Sequence, residues 1–454
     1  MDVLLVNCPI RVHAEPNVIP YGLATIASTL EGAGHHVEIL DLNAQRMSEE
    51  EIASELSGRS WDLAGVSGLI TTYSFQRWLI PLLRDLRPHA PVVSGGGLAT
   101  CVPELVLSRT PVDMVALGEG EQTSLELAET LERGGDPAEV AGLMVRRRSG
   151  EVVRTEPRAL VADLDSLPLP AWHLLPMETY LANPIWGAGT GNLSGFLGER
   201  LPKRSMNIIA SRGCPFSCNY CYHLFGRSRY RIRSAENIAD EVHALVERYH
   251  VDFVGFVDDN FMADAKVVTG FCDSLWRRGI RVRWGCHGRV TSAEPDLLRR
   301  MADAGCVWIG YGIESASPEI LRRMNKRADP DRAAQAIIET RRAGIYANTT
   351  FMMGYPGETR ETVEETVEFC KRLGIVQRFF LTTPYPGTPL YEQVRHLIPD
   401  EEKYIECLGD AYDFALNLTD LPDQQLLELK SWAEGELERA AAEVPPRGKE
   451  VAAC

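Results

Sequence analysis

The sequence predicts an α/β protein with two parallel sheets in series, the first doubly wound and the second curled into a partial (β/α)6 barrel. Short apolar runs bounded by turn residues alternate with amphipathic stretches from residue 1 to about 135 and again from about 206 to 395. Between those two stretches the rhythm breaks. At 454 residues and 45% hydrophobic content, the chain has material for two or three cores.

In the first stretch DVLLVN, VEIL, LAGVSGL, PVVSGGG and DMVAL read as strands, and GLATIASTLEGAG, EEEIASEL, SFQRWLIPLLRDL, PELVLS and EQTSLELAETLERGG as the helices between them. About five such βα units make a doubly wound sheet over residues 1–135. No G-x-G-x-x-G opens the first helix, so a dinucleotide site has no support. Residues 136–205 read as a linker: VRRRSGEVVRT turns as a hairpin around Ser149-Gly150, and DSLPLPAWHLLPMETYLANP, rich in proline and aromatics, wraps between domains.

From NIIAS at 207 the alternation resumes, with strands at VDFVGFV, RVRWGCH, VWIGYGI, YANTTFMMG and QRFFLTT. Six βα units over 206–395 predict a partial barrel with its active site at the C-terminal strand ends. Residues 396–454 read as a short helical, acidic C-terminal region whose last residues, VPPRGKEVAAC, are expected to fray.

The formal charge of -16 has the wrong sign for neutralising phosphates over a broad surface, which argues against nucleic-acid substrates. MDVLLVNCPIRVHAEP shows no basic leader or cleavage site, and no apolar run approaches transmembrane length; a cytoplasmic protein without membrane contact is expected. Eleven cysteines are scattered along the chain, and only Cys214, Cys218 and Cys221 cluster. In a reducing compartment that trio is better explained as metal ligands than as a disulfide plus a spare thiol.

The trio lies in CPFSCNYC, directly after the strand NIIAS, at the end where barrel active sites form. A loop with this spacing can fold three thiolates around one [4Fe-4S] cube and leave its fourth iron open. The alternatives are a zinc knuckle with His223 as fourth ligand, or cysteines that bind nothing; no second ligand pair lies nearby.

C-x3-C-x2-C, with Tyr220 before the third cysteine, resembles the radical S-adenosylmethionine (SAM) superfamily. RYRIRSAENIADEV, FVDDNF, GYGIESASPEILRRMNK, TFMMGYPGET and TPYPGTPLY resemble the branch whose members carry an N-terminal, Rossmann-like cobalamin-binding domain. The resemblance covers residues 1–395. It implies that SAM chelates the open iron and that a reduced cluster cleaves it to a 5'-deoxyadenosyl radical. A low-potential electron donor of flavodoxin or ferredoxin type is implied as partner.

By motif, the resemblance places Asp258, Asp259 and Asn260 at the SAM amino group; a turn and helix cap is the competing reading. Glu314 matches the polar residue that contacts SAM, against a salt bridge to a neighbouring arginine. Met353 and Gly354 match the strand edge beside adenine, against core packing. Arg289 is a candidate for the SAM carboxylate, against an ordinary exposed arginine. Tyr222, His223 and His287 lie on or near the expected catalytic rim as candidate proton carriers. His13, His35 and His36 fit surface or hydrogen-bonded roles better than ligand roles.

In the front domain Ser67-Gly68-Leu69 and Gly95-Gly96-Gly97 match the S-x-L and double-glycine features of cobalamin domains, where small residues let the corrin approach the backbone. CPIRVHAEP lacks the D-x-H-x-x-G that ligates cobalt in some cobalamin proteins, a motif often missing from this branch. GGGLAT carries Leu98 where relatives often carry histidine, which keeps loss of cobalamin open.

The resemblance favours cobalamin-dependent C-methylation of a small molecule in specialised metabolism such as antibiotic biosynthesis. Cobalamin-free radical dehydration of an aminoglycoside-type diol, catalysed by a lyase, and radical cyclisation stand as alternatives. A non-catalytic cobalamin carrier would not need the cluster, and no second cysteine set supports a methylthiotransferase.

Overall fold

The computed structural model describes residues 1–182, 196, 201–224, 229–409 and 412–443. The tail expected to fray lies outside the described residues.

The first sheet has seven strands in the order β2-β1-β3-β4-β5-β6-β7. These are β1 Asp2–Asn7, β2 His36–Asp41, β3 Leu63–Ser67, β4 Val92–Gly95, β5 Met114–Ala116, β6 Leu143–Arg146 and β7 Val152–Arg154. The first five are parallel. β1 is buried on both faces, as a central parallel strand covered by helices requires. Strand order reverses between β1 and β3, and there the Cys8 N–H donates to the Ser67 carbonyl at 3.1 Å. This reversal opens a crevice at the carboxyl ends of the strands.

The expected hairpin around Ser149-Gly150 is present, but it does not stand apart as linker. β6 and β7 add antiparallel strands to the edge of β5, so the first sheet runs past 135 to Arg154. The proline-rich segment after it packs between the sheets: Ala171 N–H donates to Ala24 O, Trp172 meets Tyr21 edge-on, and Tyr180 Oη donates to Asp41 at 2.7 Å.

The second sheet has six parallel strands: β8 Ser205–Ile208, β11 Phe253–Phe256, β12 Arg283–Gly288, β13 Cys306–Glu314, β14 Tyr346–Met353 and β15 Phe380–Leu381. Their order follows the chain, β8-β11-β12-β13-β14-β15, with no pairing between the first and last, so the barrel is an open arc. Between β8 and β11 lies a two-stranded ribbon, β9 Ser211–Arg212 with β10 Arg231–Ile232.

Local chemistry sets the helix ends. Ser48 and Glu51 form a capping box for Glu49–Ser57, Asp264 caps Ala265–Arg277, and Gly374 closes Arg360–Leu373 with φ +61. The terminal helix Asp423–Glu443 docks on Arg360–Leu373 through a Lys371–Glu436 pair at 2.6 Å. No helix among the described residues is long and apolar enough to cross a membrane.

Candidate active site

The C-terminal strand ends of the two sheets face one cavity of about 460 Å³. On one side it is lined by Ser67, Leu69 and the glycine run Gly95-Gly96-Gly97, on the other by Arg212, Asp258 and Asp259. Gly96 has φ +81, and a Cβ there would lie 2.9 Å from Ser67 Oγ and 3.0 Å from the Gly68 carbonyl. Only glycine fits that turn without strain.

Leu98 does not face this cavity. It is fully buried in the front-domain core with Val66 and Leu79, so the absent histidine takes nothing away from the cavity wall.

The cysteine loop leaves β9 at Gly213. Cys214 and Cys221 are half-buried and Cys218 is buried. The Cys221 thiol donates to Cys218, and with Lys326 and Arg289 nearby this holds the Cys218 thiol below the usual thiol range against the cost of burial. Cys221 is pushed up by the same hydrogen bond and by burial. A thiolate flanked by two cations on a three-thiol loop is the donor chemistry of an iron-sulfur cube. No three His, Cys, Asp or Glu side chains among the described residues form a ready coordination shell.

Arg289 is not an exposed arginine. It is 7% exposed, its Nη1 lies 3.4 Å from Cys218 Sγ, its Nη2 donates to the Lys326 carbonyl, and its Cζ stands 3.8 Å above the Phe216 ring. Its guanidinium is committed to the cysteine loop.

Glu314 ends β13 at a register shift with φ +70, an uncommon conformation for a side-chain-bearing residue. Its carboxylate pairs with Lys326 Nζ at 3.0 Å and accepts from Tyr220 Oη at 3.2 Å, while Lys326 donates to Tyr220 at 2.9 Å. The ion pair is real, but its cation is Lys326, which the motif contained and sequence reasoning left without a role.

The run Asp258-Asp259-Asn260 divides three ways. Asp258 is buried and accepts from Ala210 N–H at 3.1 Å and Ser211 Oγ at 2.5 Å; burial nevertheless raises its carboxyl to about 6. It ties β11 to the strand entering the cysteine loop. Asp259 is exposed at the cavity mouth, within electrostatic reach of His223. Asn260 is fully buried, and neither its amide oxygen nor its nitrogen has a hydrogen-bond partner among the described residues. A buried amide in that state fits a site completed by a polar ligand. Asn260 stands at the N-cap position of the short 3-10 turn Phe261–Ala263 without a side-chain capping bond, and the α-helix Ala265–Arg277 is capped by Asp264.

Met353 is buried in the main core, which is the packing role. Gly354, with φ +89, donates its N–H to Glu358 Oε2 at 2.5 Å. None of Tyr222, His223 and His287 lines the cavity. Tyr222 hydrogen-bonds Cys101 of the front domain and packs where a side chain on Gly387 would collide with its ring. Both ring nitrogens of His223 are buried without a hydrogen-bond partner among the described residues. His287 on β12 stands edge-on to Trp308 at 5.1 Å, and desolvation brings its imidazole down to about 4. His13 and His36 are exposed, and His35 meets the N-terminal amine at 3.3 Å.

Sequence reasoning missed a buried ionic group beside the cavity: Glu119 and Glu121 from the front domain, with Arg212, line the wall, and Arg231 joins them from behind. The repeated acid in LGEGEQ, directly after a strand, was the available signal.

Comparison with known proteins agrees with this geometry. A family model described as the radical SAM superfamily matches residues 208–370, and one described as the B12 binding domain matches residues 8–128. An uncharacterized methyltransferase of Pyrococcus horikoshii is 31% identical over 378 residues, covering 82% of this chain and 78% of its own. The anaerobic magnesium-protoporphyrin IX monomethyl ester cyclase of Rubrivivax gelatinosus is 27% identical, covering 85% of this chain and 68% of its own. The fold is shared with the radical SAM methyltransferase TsrM from Kitasatospora setae, solved with cobalamin and a [4Fe-4S] cluster bound, at TM-score 0.74 and 22% identity over 98% of this chain and 89% of that one. With a three-cysteine loop on an open barrel facing the glycine-lined strand ends of a second sheet, the chain belongs to the radical SAM superfamily, in the branch with an N-terminal B12-binding domain, and is an enzyme whose cofactors are a [4Fe-4S] cluster, SAM and cobalamin.

Proposed function

We propose that this enzyme is a cobalamin-dependent radical SAM methyltransferase that methylates carbon in a small molecule. The observation that carries the reading is one cavity lined both by the glycine run of the B12-binding domain and by Arg212, Gly213, Asp258 and Asp259 of the barrel, the last strand residues before the cysteine loop among them, so that a corrin held on one wall would lie next to the loop that would hold the cluster. The name of the Pyrococcus relative points the same way. When bound, the cluster supplies the electron that cleaves SAM, and the corrin supplies the methyl group.

The chain's residues divide the remaining work. Cys214, Cys218 and Cys221 hold the cluster, with Arg289 and Lys326 beside Cys218 favouring its thiolate. Lys326 and Tyr220 orient the Glu314 carboxylate, which would accept hydrogen bonds from SAM together with Asp259, while Asn260 would supply a buried amide whose oxygen and nitrogen have no hydrogen-bond partner among the described residues. Ser67, Leu69 and Gly95-Gly96-Gly97 admit the flat face of the corrin. His287, whose imidazole burial keeps neutral near pH 7, stays packed against Trp308 and is given no part in the chemistry. Electrons come from a flavodoxin- or ferredoxin-type protein.

The test is anaerobic reconstitution with iron, sulfide and cobalamin, then turnover of methyl-labelled SAM against a panel of small-molecule acceptors. About one cobalamin per chain, matched release of 5'-deoxyadenosine and S-adenosylhomocysteine, and a labelled product are expected. Full activity in cobalamin-free protein with no S-adenosylhomocysteine overturns the reading. The Rubrivivax relative supports a second one, radical ring closure, whose product would carry no label.

A further inference from the structure

The cysteine loop leaves its sheet through β9 and returns through β10, and in that antiparallel ribbon Arg212 stands directly opposite Arg231. Like charges facing each other across a strand pair repel, so the ribbon needs an outside counter-charge to close. Glu119, from the other domain, provides it. Its carboxylate takes Arg212 Nη1 at 2.7 Å, Arg231 Nη2 at 2.9 Å and Arg231 Nη1 at 3.0 Å, and it also accepts from the Val161 N–H of the connecting segment at 2.6 Å. Glu121 completes the group through Arg212 Nη2 at 2.5 Å. Two acids and two bases thus form a neutral cluster, with every side chain at most 14% exposed. Burial alone would raise the Glu119 carboxyl, yet Arg231 and Arg212 hold it below the usual carboxylate range.

We propose that Glu119 is a positioning residue for the iron-sulfur loop: it clasps both stems of that loop from the B12-binding domain, so the placement of Cys214, Cys218 and Cys221 depends on that domain's being docked. Gly118 and Gly120 flank Glu119 on the wall of the shared cavity, and the Gly118 N–H is bonded to Thr100 Oγ1, three residues beyond the glycine run. The clasp therefore joins the corrin side of the cavity to the cluster side at the loop's stems, as the Tyr222–Cys101 hydrogen bond does beside Cys221. Its consequence for catalysis rests on the methyltransferase reading, whereas its geometry does not.

The first measurement uses the cofactor-free full chain, so it stands or falls whichever reaction the enzyme performs. Amide hydrogen exchange is compared for the wild type, Glu119→Gln, Glu121→Gln and Glu126→Gln. Glu126 pairs with Arg158 on the same front-domain helix as Glu121 but touches neither stem, and serves as the control. Peptides covering 211–224 and 229–233 should exchange about tenfold faster or more in Glu119→Gln, less so in Glu121→Gln, and at the wild-type rate in Glu126→Gln. Wild-type exchange in Glu119→Gln overturns the proposal.

The second measurement is the electron paramagnetic resonance spectrum of the reduced, reconstituted enzyme. Glu119→Gln should keep its iron and cobalamin per chain but lose the wild-type change in g values on SAM addition, and Glu119→Asp should restore part of it. An unchanged response in Glu119→Gln overturns the proposal. Should Glu119→Gln not fold, Glu119→Asp is read in the exchange experiment instead: partial loosening of both stems supports the clasp, and wild-type exchange refutes it.

Discussion

Lys326 Nζ lies 3.0 Å from Glu314 Oε1, and this pair, buried beside the cysteine loop, fixes the one acidic side chain at the end of β13. Removing one partner of such a pair leaves an uncompensated buried charge. Lys326→Met should therefore lower the stability of the cofactor-free chain by about 3–5 kcal/mol, and Glu314→Gln combined with Lys326→Met should recover most of it. Thermal melts of the two variants check this; equal losses in both would show that the pair is not coupled. SAM affinity should fall in the double variant despite its recovered stability.

The cluster ligands have a simpler test. With Cys214, Cys218 and Cys221 all changed to alanine, no protein thiolate remains on the loop, so the reconstituted chain should lack iron-sulfur absorbance and make no 5'-deoxyadenosine. Persistent SAM cleavage in the triple variant would remove this loop from the chemistry.

Gly96 marks the corrin side. A valine there must take a left-handed conformation that costs an L-residue about 1–2 kcal/mol, and its side chain would press on Ser67 Oγ and the Gly68 carbonyl. Gly96→Val should retain little cobalamin after desalting while its iron content stays normal. Leu98→His should behave differently. Because residue 98 is in the core, the histidine should destabilise the front domain by about 2–4 kcal/mol without adding a nitrogen ligand to cobalt, visible as a cob(II)alamin spectrum unchanged from that of the wild type.

Glu358 gives a pH test away from the cysteines. Its carboxyl is buried, accepts from Gly354 N–H, and is raised by that burial from 4.5 to about 7. Between those values the unfolded chain has lost the proton that the folded chain retains, so stability falls as pH rises from about 4.5 to about 7 and then levels off. The shift bounds the effect at about 3 kcal/mol. Glu358→Gln removes this titration, so the melting temperature of the variant relative to wild type should climb across that window and stay flat above it. A difference independent of pH would show that Glu358 does not carry the proton.

The two sheets were legible because each strand is a compact apolar run with turn chemistry at its ends, and both signals are local. β6 and β7 show the limit: the turn at Ser149-Gly150 is written in the sequence, but their partner β5 is chosen by distant contacts. The site divides in the same way. The spacing of Cys214, Cys218 and Cys221 is a local fact, whereas the partners of Glu314 and Arg289 arrive through the fold. Asp258 and Asp264 are chemically alike, and only the backbone decides that the first tethers a strand and the second caps a helix. Leu98 misled because a motif position was taken to face the ligand, and in three dimensions it faces the core.

The open arc of the second sheet bears on how such enzymes diversify. A closed eight-stranded barrel fills its own interior, so a change of substrate must be cut into the strands themselves. Here β8 and β15 are unpaired with each other, and the chamber is completed by neighbours: the front-domain strand ends, the connecting segment around Leu167 and Pro170, and the residues at the mouth. Those borrowed walls can be altered by insertion, deletion or exchange without touching the strand that leads into the cysteine loop, so the shape of the chamber and the anchoring of the loop are set by different parts of the chain.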